Sequence, residues 1–152
     1  MATESNYSAL VDAIAAQLKA YSGLAGVRVE IEQDPVLGLP DDGGRALVVE
    51  SMRRRPSPGQ SMAAGKRLRN RLTVVISSVG FDMESFRAAA NKRDDLIDKV
   101  ELAIIADRTI GGLTVNLELM GGEFYRASAP GNSAPFASIG ETLLEMDVSA
   151  IS

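Results

Sequence analysis

The chain reads as an α+β domain: a mixed, largely antiparallel sheet of about five strands, two helices packed on one face, and a long hairpin arm between strands two and three. Three observations predict this. Two segments carry apolar residues at three- and four-residue steps, the spacing of a helix with one buried stripe. Several others alternate apolar and polar residues, the period of a strand with one buried face. Their order along the chain is α-β-β-β-α-β-β, which fits two helices layered on one sheet.

The first helix is expected from Ser5 or Asn6 to about Tyr21, with Tyr7, Leu10, Val11, Ile14, Leu18 and Tyr21 on its stripe. Ser22-Gly23 stops it. Val27 to Glu32 alternates apolar and charged residues, a strand with one wet face. Gln33 to Gly44, with two Pro, three Gly and Asp41-Asp42, is expected as a loop. Ala46 to Val49 is a continuous apolar run suited to a central strand, and Leu72 to Ser77 resumes the β pattern. These two strands should pair as neighbours, with the arm connecting them.

The second helix is expected from Met83 to about Ala106. Asp82 serves as its N-cap, Phe81 and Phe86 as a hydrophobic staple, and Phe86, Ala90, Ile97, Val100 and Ile104 as its stripe. Leu113 to Leu119 alternates again. Gly121-Gly122 marks a bulge or bend after which residues 123–126 extend the strand. Ala127 to Ala137 reads as a loop. The closing strand, Glu141 to Ser149, sets Thr142, Leu144, Met146 and Val148 on one face and Glu141, Leu143, Glu145 and Asp147 on the other. Strands alternating this regularly leave one sheet face to solvent or to another subunit.

The 152 residues suit one domain, residues 1–152, and 45% hydrophobic content supports a folded core, while 5% aromatics and no Trp make that core aliphatic. No apolar run reaches the ~18–20 residues of a membrane helix, so no membrane partner is expected. The start, MATESNYSAL, lacks signal-peptide character. With neither Cys nor His in the chain, disulfides, thiolate nucleophiles, Cys/His zinc sites and His-based triads are excluded. The expectation is a protein that is not an enzyme and carries no cofactor.

The charge distribution points to assembly. Residues 51–80 hold Arg53, Arg54, Arg55, Lys66, Arg67, Arg69 and Arg71 and no acid; the remainder holds nine Lys/Arg against twenty Asp/Glu, −11 outside and +7 within for a net −4. The arm at about 51–71 has no periodic apolar residues and is expected to be flexible. An arm so segregated suits an inter-subunit or lumen contact, with a plain solvated loop and non-specific contact with phosphate as the other readings. It contains no aromatic to stack a base. Asp94, Asp95 and Asp98 cluster on the second helix, where two carboxylates a turn apart could ligate a hard cation, but a solvated face with an Asp95–Lys99 pair is the simpler reading. Asp41-Asp42-Gly43-Gly44 reads as a turn, and Gly111-Gly112 and Gly121-Gly122 match no phosphate loop.

Three segments together resemble the tail terminator (tail completion, minor tail protein U-like) family of tailed bacteriophages. They are the opening helix, residues 9–18, running into residues 24–29; the helix end Ile104 to Ile110 followed by Gly111-Gly112-Leu113; and the closing strand Thr142 to Val148. The resemblance covers nearly the whole chain and rests on arrangement. It implies a structural virion protein: a homohexameric ring, assembled in the host cytoplasm, that caps the head-proximal end of the tail tube and ends tube polymerisation. Its partners would be the tail tube protein and head–tail connector or neck proteins, with DNA passing nearby in the lumen. Another neck or connector ring contacting the portal and DNA is the alternative. A small carboxylate-dependent enzyme or ligand-binding domain is a third reading, from a different class.

Overall fold

A computed structural model describes residues 6–32, 44–56, 70–131 and 133–148. Helix α1 spans Asn6–Ala20 and is followed by a 3-10 turn at Ser22–Leu24 and strand β1, Arg28–Ile31. Strands β2 (Arg45–Pro56) and β3 (Asn70–Asp82) precede helix α2 (Phe86–Ala106), and β4 (Thr114–Met120), β5 (Phe124–Ala129) and β6 (Ser133–Val148) follow it. The result is a six-stranded mixed sheet in the order β1-β2-β3-β6-β4, with β5 also on β6. Only the β1–β2 pair is parallel.

The central members are long. β3 pairs along β6 from Asn70↔Val148 to Asp82↔Phe136, and β4 and β5 lie in succession along the other side of β6. The bend at Gly121-Gly122 separates them. A Cβ on Gly122 would strike the Glu141 carbonyl group, so the position admits only glycine.

The apolar face holds the main core. Leu10, Ile14 and Leu18 of α1 and Leu96, Val100 and Ile104 of α2 pack on Leu47 and Val49 of β2, Leu72, Val74 and Ile76 of β3, and Leu144, Met146 and Val148 of β6. α2 rides close to the sheet because the residues beneath its first half are small. At Gly80 an added Cβ would meet the Ala89 carbonyl and lie 2.8 Å from the Arg93 amide, and at Gly140 it would meet Ile97. Ala89 itself is fully buried. Residues of opposite parity face away from the helices. Among them Val79, Phe81, Ala46, Ala137 and Ile139 form a second, smaller cluster, Val48 and Val75 lie buried beyond it, and the Arg71 end of that face is polar.

Three expectations shift. α2 starts at Phe86, not Met83: the Ser85 hydroxyl accepts from the Ala88 amide as its N-cap, while Asp82 accepts from Glu84 and pairs with Lys92. The buried stripe of α2 is Ala89, Leu96, Val100, Ala103 and Ile104, leaving Ile97 half-buried against Gly140. Finally, most described residues of the expected 127–137 loop are strand. β5 runs to Ala129 and β6 starts at Ser133, because backbone pairing to β3 and β6 overrides a Pro/Ser/Ala-rich local signal.

Candidate functional site

The basic cluster divides three ways. Arg53, Arg54 and Arg55 lie in β2, which pairs with β3 as far as Pro56↔Asn70, so this part of the expected flexible arm is strand. Lys66, Arg67 and Arg69 lie outside the described residues, as does the Asp41-Asp42 turn. Arg71, expected in the exposed arm, is a buried member of β3, only 8% exposed.

Arg71 sits at the centre of an ionic network on the polar face. Its register partner on β6 is Asp147, and on β2 it is Arg55. The guanidinium donates to Glu145 at 2.7 Å and reaches Asp147 and Glu118, each at 3.3 Å. Arg55 donates to the same Glu145 oxygen from the exposed side. Asn116, held at φ 54° in a bulge of β4, donates from Nδ2 to Asp147 at 3.1 Å, and that bulge turns Leu117 into the main core. A left-handed Asn costs little at such a position.

The electrostatics follow from this geometry. Hydrogen bonding from Arg71 holds the Glu145 carboxyl below the usual carboxylate range, against burial that pushes it up, and Arg55 adds to the lowering. For Arg71, burial opposes the charge, but Glu145 and Asp147 outweigh it and keep the guanidinium protonated. Arg55, Arg71, Asn116, Leu117, Glu118 and Asp147 line an open groove of about 520 Å³. Its two arginines are engaged by its own three carboxylates, Glu118, Glu145 and Asp147, so the network ties β2, β3, β4 and β6 together and offers no free cation to an anionic ligand.

Further along the same face, burial first and then Glu32 and Glu141 raise the carboxyl of Glu50. What points outward is the β2 ribbon. Residues 51–55 are exposed throughout, and the ladder slips between Ser51 and Arg53, which makes Met52 the bulged residue. Arg54 reaches over the Tyr7 ring at 5.8 Å. Among the described residues Arg53 has no ionic partner.

The acids of α2 behave as surface residues. Asp95 pairs with Lys99 at 3.0 Å and Arg45 at 3.5 Å, Asp94 with Arg93 at 2.8 Å, and Asp98 is exposed. Among the described residues no group of three or more acids could hold a metal ion. No described helix is long and apolar enough to cross a membrane.

Sequence reasoning missed the burial of Arg71. Its signal was present: Glu145 and Asp147 share one face of the closing strand, and an arginine across from them completes the set once β3 and β6 pair.

No protein-family model matches the chain, and no curated protein matches it in sequence. Its fold does resemble a solved one. The sheath/tube terminator of an extracellular contractile injection system (PVC), seen by cryo-electron microscopy in the extended state, aligns over 100% of this chain at a TM-score of 0.51 and 10% identity. The chain spans 59% of that terminator's length. A second solved chain aligns over 96% of this chain and 94% of its own, at 14% identity and a TM-score of 0.42.

Proposed function

We propose that this chain is a structural tail terminator. It forms a homohexameric ring that caps the head-proximal end of a phage or phage-like tail tube, ends tube polymerisation and offers a surface to head or neck proteins. The observation that carries the reading is a fold shared, along the whole of this chain, with a terminator of a contractile injection system. A chain without Cys or His, whose buried arginine is paired with its own carboxylates, suits an assembly role better than catalysis. In this reading it is a virion component with no cofactor and no enzymatic activity, and DNA passes close to its lumen.

Arg53, Arg54 and Arg55 help to hold or line the ring. Replacement of Arg53 and Arg54 by Glu, with Arg55 kept because it donates to the buried Glu145, leaves the subunit folded, because exposed charges on a strand end contribute little to stability. It impairs ring closure or tube capping, more severely at low salt, where repulsion is least screened. Native mass spectrometry reads the ring, and electron microscopy of mutant particles reads tail length. Normal rings and tails of normal, uniform length from the Arg53/Arg54 variant would defeat the electrostatic part of the reading.

A further inference from the structure

Two sheet edges lack a strand neighbour among the described residues, and they differ in chemistry. On one side β1 covers β2 only from Ala46 to Val49, and Glu32 then caps the Ser51 amide. Beyond this point Met52 to Arg55 is exposed. The bulge expels Met52, 60% exposed, beside the exposed Arg54 and Arg53, the latter without an ionic partner among the described residues. Bulges on edges commonly re-aim a side chain.

On the other side β4 and β5 form the outer edge. Leu113, Val115, Met120 and Phe124 are all exposed there, Phe124 at 63%. The exposed Glu118 and Glu123 stand among them. An open edge with this much apolar surface is a pairing site in waiting.

We infer that the outer edge of β4 and β5 receives the Met52–Arg55 ribbon of a second copy of this chain. The inference rests on the ring reading and names its contact. From Leu113 to Phe124 the edge is apolar and acidic, with Arg126 of β5 held over the Phe86 ring; the ribbon is apolar at its bulge and basic on both sides of the strand. The two patches match each other and neither matches itself. The contact is therefore heterologous, and head-to-tail repetition closes into a ring.

The test uses two variants of the full chain. The ribbon variant carries Met52→Glu and Arg53→Glu, and the edge variant carries Val115→Lys and Met120→Lys. Each is checked for an unchanged circular-dichroism melt and then analysed by native mass spectrometry and sedimentation velocity. Each variant alone is monomeric. Mixed at high concentration, they associate, because the intact ribbon of the edge variant meets the intact edge of the ribbon variant. The milder Met52→Ala and Met120→Ala, which spare the fold, each weaken self-association about tenfold or more, as truncation of an interface anchor does.

Either double variant assembling like the wild type would overturn this contact while leaving the ring reading standing. So would a mixture that stays monomeric. A wild-type chain that is monomeric at every concentration would overturn the ring reading itself.

Discussion

Replacing Arg71 by Met tests the ionic network directly. Arg71 and Glu145 are each less than a tenth exposed, and the Arg71 guanidinium also touches Asp147 and Glu118. Removing one partner of a buried ion pair strands the other and costs ~3–5 kcal/mol. Arg55 still reaches Glu145 in the variant, so the expected loss lies at the lower end, about 3 kcal/mol at pH 7. In a domain of this size that lowers Tm by about 6–12 °C.

The loss is pH-dependent, with a definite sign. The folded-state pKa of Glu145 is depressed below its ordinary 4.5. Its contribution is therefore fully present above that value and fades as pH falls through the folded one. The gap between wild type and variant should be full at pH 7 and narrow steadily below about pH 4.5. Urea unfolding at several pH values measures both quantities. A variant within about 0.5 kcal/mol of wild type at pH 7, the range of ordinary surface substitutions, would refute the claim that this network holds the sheet together.

Further outcomes follow from packing and charge. Leu96→Ala should cost about 3 kcal/mol, as a fully buried aliphatic deletion does, with Val100→Ala also costly and the half-buried Ile97→Ala cheaper; the reverse ranking in denaturant unfolding would mean α2 is rotated. Asp94→Ala should change little. Gly80→Ala should destabilise by about 1–3 kcal/mol, read by thermal melting, because its methyl meets backbone rather than a yielding side chain. Glu50 is raised by burial and by Glu32 and Glu141, so its ionisation opposes folding as pH climbs from 4.5 through the raised value; Glu50→Gln should therefore stabilise the protein at pH 7 and do nothing at pH 4. Of the amides of Arg54 and Arg55, which point to opposite sides of the strand, the one facing β3 should exchange slowly, and free exchange at both would contradict the strand.

How much of this was legible depended on whether local signals decided the outcome. The stripe of α1, the β2–β3 pairing, the faces of β6 from Thr142 to Val148 and the Gly121-Gly122 bend follow from period and backbone freedom, and they read directly. The ends of the long strands did not. Arg53-Arg54-Arg55 has no alternation, and Ser133 to Ser138 looks like loop, yet the first pairs with β3 and the second with β5 and the end of β3. The α2 cap went to Ser85 because Asp82 is still part of β3 and pairs with Phe136. Arg71 was counted with its basic neighbours because charge is visible along the chain, whereas Glu145 and Asp147, which bury it, are more than seventy residues away.

The arrangement of β6 also sets when this protein can fold. β3 waits for partners that lie roughly fifty to eighty residues further along the chain, and β4 and β5 pair with nothing but β6 among the described residues. During synthesis the β2–β3 ribbon and both helices leave the ribosome first, with β3 still a bare apolar edge. Pairings of such long sequence separation are slow to close. The nascent chain thus stays incomplete, and prone to associate with its own kind, until Ser133 to Val148 has emerged. Translation order thereby sets the earliest moment at which a finished subunit can exist, and any two neighbouring nascent chains are exposed to swapping that one strand.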